Sequence, residues 1–214
     1  MRPESSIKVL LVDDHAVVRN GVRLMLGTAT DIEVAAEAER ARDALSLVQV
    51  QCFDVALIDI ALPDRSGLDL LKSLRTQQPA LAVLILSIYS EEVYALRAIR
   101  LGASGYLTKS TPAKTLIAAV RKAHAGGRYV SPELAERLAQ HLGSTSTASH
   151  EALSDRELEV LKLIALGESL ARIAEALHLS PNTVTTYRAR ICQKMQLKSN
   201  AQLTRYALEH GLLI

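Results

Sequence analysis

The sequence is poor in the residues that mark several protein classes. It has two cysteines in 214 residues, Cys52 and Cys192. They are too far apart for a metal or redox spacing, which excludes a disulfide scaffold and a cysteine-held metal. Both read as reduced thiols of a cytosolic protein. There is no tryptophan and one phenylalanine, so the 49% of hydrophobic residues is mainly aliphatic. No apolar run approaches the roughly 18 residues a membrane-spanning helix needs. The opening "MRPESSIKVLLVDDH" has too short an apolar segment for a signal peptide, and two acids cut it off. These absences predict a cytoplasmic protein with no membrane partner. An excess of one charge is also missing. The net charge of +2 names no partner by itself, but its distribution is uneven. Residues 176–208 carry Arg188, Arg190, Lys194, Lys198 and Arg205 and no acid, whereas 151–175 carry six acids. A basic stripe in a nearly neutral chain is the footprint of a small nucleic-acid-binding surface.

Two textures alternate over the first 125 residues. Short runs rich in Val, Ile and Leu occur at "IKVLLV", "IEVAAE", "DVALID", "LAVLILS" and "SGYLTK". Between them, 15–27, 40–50, 67–76, 90–101 and 112–124 have helical periodicity. Strands apolar on both faces, alternating with helices, require a parallel sheet covered on both sides. Five such βα units predict a flavodoxin-like doubly wound α/β domain over 1–125, whose ligands gather at the carboxyl ends of the strands. Residues 126–149 hold a Gly pair, a Ser-Pro helix start and the low-complexity run "GSTSTASHEA", which reads as a linker with one short helix. From 150 to 214 the pattern is all helical. Four helices are predicted, ending near Leu166, Leu177, Met195 and His210. Ser154 with Glu157 forms a capping-box signature at the start.

The polar residues at strand ends carry the chemistry. "LLVDDH" puts Asp13 and Asp14 at the carboxyl end of strand one, and "VALID" puts Asp59 at the end of strand three. In a doubly wound sheet these strands are neighbours, so three carboxylates converge. Their repulsion calls for a hard dication, and Mg²⁺ held by carboxylates and phosphate oxygens fits. Strands four and five end at Ser87 and Lys109, a hydroxyl and an ammonium suited to stabilising charge in phosphoryl transfer. Asp59 then becomes the nucleophile that accepts the phosphoryl group. An aspartyl-phosphate phosphatase would use similar parts, but it calls for a second acid two residues beyond Asp59, where Ala61 stands. The chain therefore reads as a switch rather than an enzyme.

Further along, "SLARIAEALHLSPNTVTTYRARICQKM" has helix–turn–helix form, with Pro181 at the first position of its second helix. Ile173, Ala174, Leu177, Val184 and Ile191 can form its core, leaving Thr185, Thr186, Arg188, Ala189 and Arg190 to face outward. An acid-free helix of this kind fits a DNA major groove.

On "LLVDDH", "ALIDIALPDRSG", "LILS" and "GASGYLTKS", residues 7–124 resemble the receiver domain of two-component response regulators. Residues 150–213 resemble the LuxR-type (NarL/FixJ) helix-turn-helix domain, and "TVTTYRARI" is most similar to its BvgA/GacA-like subgroup. The resemblance implies that Asp59 takes its phosphoryl group from a sensor histidine kinase. It implies Mg²⁺ at Asp13, Asp14, Asp59 and the main-chain carbonyl of Ala61, with Lys109 paired to the phosphoryl group. Ser87 and Tyr106 would be the switch pair, the tyrosine swinging inward. It implies a transcription factor that forms a homodimer when phosphorylated and binds double-stranded DNA. Thr183, Thr185, Thr186, Arg188, Arg190 and Lys194 are its candidate contacts. The familiar Val-Lys-x-His pattern of the recognition helix is replaced here by Val184-Thr185-Thr186-Tyr187, so the DNA sequence read by relatives does not carry over.

Overall fold

The computed structural model describes residues 6–88, 91–131, 134–136 and 149–213. It falls into two compact units, 1–139 and 140–214.

In the first unit, β1 (Ile7–Val12), β2 (Ile32–Ala38), β3 (Val55–Ile58), β4 (Ala82–Ser87) and β5 (Gly105–Thr108) form one parallel sheet in the order β2-β1-β3-β4-β5. The helices α1 (Ala16–Leu26), α2 (Ala41–Val50), α3 (Gly67–Gln77), α4 (Glu91–Arg100) and α5 (Ala113–His124) connect the strands in turn. This is the flavodoxin-like (βα)5 architecture. The central strands β3 and β4 are buried at every residue, as two covered faces require. β2 lies at the edge, and its Glu33 and Glu37 keep that edge polar. One face of the sheet packs Val9, Leu11, Leu57 and Leu84 against Val22 and Leu26 of α1 and against Leu116, Ala119 and Val120 of α5. Burying each of the larger aliphatic side chains contributes about 1.5–3 kcal/mol before chain entropy is charged against it. With no tryptophan and one phenylalanine in the chain, aliphatic side chains make most of the core, joined by the buried rings of Tyr94 and Tyr106.

The register fixes what lies beyond the strands. Val12 pairs with Ile58, and Ser87 with Thr108. The ladder then runs one residue further. The Asp13 amide donates to the Ala38 carbonyl at 3.1 Å, that of Asp59 to Val12 at 2.8 Å and that of Lys109 to Ser87 at 2.9 Å. Three polar side chains are thereby clamped at the same edge of the sheet.

The second unit is all helical: a 3₁₀ turn at Ser149–Ala152, then α6 (Asp155–Ala165), α7 (Leu170–Ala176), α8 (Pro181–Met195) and α9 (Asn200–Glu209). A serine caps each helix. Ser154 and Glu157 complete the capping box predicted for α6. Ser169, Ser180 and Ser199 accept backbone N–H bonds at the starts of the other three. Gly167, just past α6, takes φ +86°, the left-handed conformation that ends a helix at little cost. Ile173 and Ala174 of α7 and Val184, Ile191 and Met195 of α8 are all buried. Of the linker expected at 126–149, residues 132–133 and 137–148 lie outside the described residues; 134–136 are helical, and the Leu134 amide donates to Ser131 Oγ at 3.1 Å.

Candidate functional site

At the carboxyl edge of the sheet, Lys109 joins two buried acids. Its Nζ lies 2.7 Å from Asp13 Oδ2 and 2.8 Å from Asp59 Oδ2. Both carboxylates are about 1% exposed and the lysine 11%. Burial pushes the Asp59 carboxyl above its ordinary value. Lys109 and the nearby Ala61 backbone pull it down, while Asp13 adds to the upward push. Burial opposes the Lys109 charge as well, yet its hydrogen bonds to Asp13 and Asp59 outweigh that and hold its pKa above the usual lysine value. Two buried anions thus share one cation. Asp59 Oδ1 is buried with no hydrogen-bond partner. A buried carboxylate oxygen without a donor is costly, and a dication or a bond to phosphorus would remove the cost.

Asp14 is one-third exposed beside this pair, and His15 Nδ1 lies 2.6 Å from its Oδ1 and 3.3 Å from Asp13 Oδ1. Ligand atoms of Asp13, Asp14, His15 and Asp59 all lie within 4.8 Å of one another. The three carboxylates of this set therefore fit a hard divalent cation, with several positions left for water or phosphate oxygens. Ser87, at the end of β4, and Tyr106, in β5, are fully buried, so the tyrosine ring lies inside the fold. Ala61 follows Asp59 by two residues.

Four further residues shape the pocket, and sequence reasoning passed over each of them as a site residue. Arg19 of α1 is buried. Its Nη1 donates to the Asp13 carbonyl at 2.7 Å, while Nε and Nη2 hold Glu37 and Glu39 at 3.1 and 2.7 Å. It pins the loop that carries the acid pair, and no local sequence pattern announces it. Asp64 accepts the backbone N–H bonds of Ala41 and Arg42, capping α2 from the β3–α3 loop. Those backbone donors outweigh burial and hold its carboxyl below its usual value. Gly67 opens α3 directly against the residue that follows β3: a Cβ there would lie 1.9 Å from the Asp59 carbonyl oxygen. The signal for Gly67 was the Ser-Gly pair in the turn. The signal for His15 was its place next to the acids.

The helical unit presents a different surface. Thr185, Thr186, Ala189 and Arg190 of α8 are exposed, and Thr183, Tyr187 and Arg188 are half-buried. The hydroxyls of Thr185 and Thr186 donate back to the carbonyls of Pro181 and Asn182 at 3.0 Å. Arg188 Nε donates to Asn200 Oδ1 at 2.6 Å. Lys194 Nζ lies 2.6 Å from Glu157 Oε2, tying the end of α8 to the capping box of α6. Burial pushes the Glu157 carboxyl up, but Lys194 and Ser154 win and hold it below its ordinary value. The side chains at Thr183, Thr185, Thr186, Arg188 and Arg190 thus follow one helix from its Ser180 cap, while Lys194 has an internal duty.

Comparison with known proteins matches two parts of the chain to families. Residues 9–121 match the response regulator receiver domain, and residues 151–207 match the luxR family of bacterial regulatory proteins. Response regulator GacA of Pseudomonas aeruginosa is 36% identical over 211 residues, covering 97% of this chain and 98% of that protein. Response regulator UvrY of Escherichia coli is 32% identical over 208 residues, covering 96% and 95%. Among solved structures, response regulator ChrA of a heme-sensing two-component system is similar over 97% of this chain and 99% of its own, with TM-score 0.53 and 34% identity. RcsB of Salmonella typhimurium shares the fold at TM-score 0.69 and 22% identity, covering 96% and 98%.

Proposed function

The chain belongs to the response regulators that couple a receiver domain to a LuxR-type helix-turn-helix domain, and from that premise we propose that Asp59 is the phosphoacceptor through which a sensor histidine kinase controls its binding to DNA. It is a transcription factor rather than an enzyme. One observation carries the assignment: Asp59 Oδ1 is a buried carboxylate oxygen without a donor, while its sister oxygen is fixed 2.8 Å from Lys109.

In the transfer, an Asp59 oxygen attacks phosphorus and the P–N bond to the kinase imidazole breaks. The released electron pair stays on that nitrogen, which is protonated as it leaves. Mg²⁺, held by Asp13, Asp14, Asp59 and the Ala61 carbonyl, would neutralise charge on the phosphoryl oxygens. Lys109 follows the new charge from the carboxylate to the phosphoryl group, and the Ser87 hydroxyl donates to it. Phosphorylation leaves about −1.5 to −2 units of charge and three strong acceptors at this point. Shifting a two-state equilibrium from 1:99 to 99:1 takes about 5.5 kcal/mol. Two charge-assisted hydrogen bonds, at about 1.5–3 kcal/mol each, come close to it. Tyr106, on the strand adjoining Ser87, is the switch partner.

The domain boundaries that go with this reading are 1–125, 126–149 and 150–214. The phosphorylated chain is a homodimer that docks α8 in the major groove of cytoplasmic double-stranded DNA. Thr183, Thr185, Thr186, Arg188 and Arg190 lie nearest the nucleic acid, and Lys194 lies at the margin. The test is intact mass after incubation with a small phosphodonor and Mg²⁺, beside Asp59→Ala. The expected result is one phosphoryl group on the native chain alone, with tighter DNA binding that weakens steeply with salt. Equal labelling of both chains would refute Asp59 as acceptor.

A further inference from the structure

His15 occupies the N-cap position of α1, with φ −88° and ψ 107°, yet its side chain makes no capping hydrogen bond. The ring turns instead to the acid pair, with Nδ1 2.6 Å from Asp14 Oδ1 and 3.3 Å from Asp13 Oδ1. Its backbone amide donates to Asp13 Oδ1 at 2.9 Å, so the loop holds histidine and acid together. The inner side of the pocket is equally defined. Lys109 takes one oxygen each from Asp13 and Asp59, while Asp59 Oδ1 is buried and unpartnered. What is left is an oxygen-rich cradle with one nitrogen at its rim.

We propose that His15 is a nitrogen ligand to the dication of this pocket, giving it a preference for first-row transition metals that the three carboxylates alone would not supply. The proposal rests on the reading of the acid pocket as a cation site. The distances suit a single ion. Ligand atoms about 2.1 Å from a metal lie about 3.0 Å apart when adjacent and about 4.2 Å when opposite. The four groups here offer atoms within 4.8 Å of one another, so closure by about half an ångström brings them into one coordination sphere. Coordination uses the Nδ1 lone pair of the neutral ring whose proton is on Nε2, and the Nδ1–Asp14 contact of 2.6 Å is exchanged for the bond to the metal. Mg²⁺ takes little from an imidazole, being a hard ion that prefers oxygen and keeps its waters. Mn²⁺, Fe²⁺, Co²⁺ and Ni²⁺ gain from nitrogen in that rising order. The ring is largely exposed, so it can adjust to the ion without disturbing the core.

The experiment titrates the full-length chain, without a histidine tag, with Co²⁺ and with Mg²⁺, beside His15→Ala and Asp13→Asn. Calorimetry gives the affinities, and the visible absorption of bound Co²⁺ reports nitrogen ligation. In His15→Ala, Co²⁺ affinity is expected to fall about tenfold or more with a change in the Co²⁺ spectrum, while Mg²⁺ affinity stays within about twofold. If His15→Ala leaves both affinities and the spectrum unchanged, His15 is only an ion-pair partner of Asp14 and the proposal is overturned, with the pocket intact. Equal loss of both metals would also overturn it, by showing that His15 merely places the acids. Were Asp13→Asn to bind both metals like the native chain, the pocket itself would not be the cation site and both readings would fall.

Discussion

Replacing Gly67 with alanine tests how closely the α3 start is fitted to Asp59, the proposed phosphoacceptor. A Cβ at Gly67 would stand 1.9 Å from the Asp59 carbonyl oxygen, 2.8 Å from its carbonyl carbon and 3.0 Å from Ile60 Cα. An ordinary carbon–oxygen contact is about 3.3 Å, so backbone must move by about 1.4 Å. The obstacle is not a flexible side chain. It is the strand end itself, clamped by the Asp59 amide bond to Val12 and by the Gly67 amide bond to Ile60, each 2.8 Å. Overpacking a core typically costs about 1–3 kcal/mol, and with backbone on both sides the upper figure applies. The chemical effect should be of similar size, about 2.7 kcal/mol, because an acceptor misplaced by about 1 Å can lose about a hundredfold in rate. Gly67→Ala is therefore expected to lower the thermal midpoint of the receiver transition by several degrees and to slow phosphorylation by a small donor about a hundredfold. The helical unit keeps its own midpoint. Wild-type phosphorylation rate with an unchanged midpoint would refute the claim that glycine is required there.

Other consequences concern the buried charges. Lys109→Met leaves Asp13 and Asp59 facing each other without their cation, and breaking a buried pair costs about 3–5 kcal/mol. The Asp59 carboxyl, already raised by burial, rises further. A group with a raised folded value favours the fold below its unfolded pKa and loses that contribution as pH rises through the folded one. The variant's deficit, measured by denaturant titration, should accordingly narrow between pH 7 and pH 4, and a constant deficit would contradict the pairing. In the helical unit, burial lowers Lys162 from 10.5 to about 8, with Glu159 pulling it back up. Between about pH 8 and 10.5 the folded unit holds fewer protons than the unfolded chain, so it gains stability as pH rises, by up to about 3 kcal/mol. Lys162→Met should abolish that gain in thermal scans at pH 7.5 and 10. An unchanged pH slope would count against it.

The local rules carried most of the architecture. Alternation of aliphatic runs with helical periodicity determines a parallel α/β unit, and the Ser154–Glu157 spacing determines where α6 begins, because both depend on interactions within a few residues. The order of acids at strand ends determined the pocket's chemistry through a topological rule: parallel strands present their carboxyl ends on one edge, so Asp13, Asp59 and Lys109 meet there. Left to tertiary structure were the choices that depend on distant backbone. Arg19 reaches Asp13, Glu37 and Glu39 across two elements, and nothing near it in sequence says so. Lys194 stands in the basic stripe with the outward residues, yet Glu157, thirty-seven positions earlier, accepts its ammonium. His15 stood next to the acids, but only the turn of its ring toward Asp13 and Asp14 made it a candidate ligand. Sequence fixes which groups are available; packing decides which of them meet, since hydrogen bonds and ion pairs act over a few ångströms that only the folded chain can set.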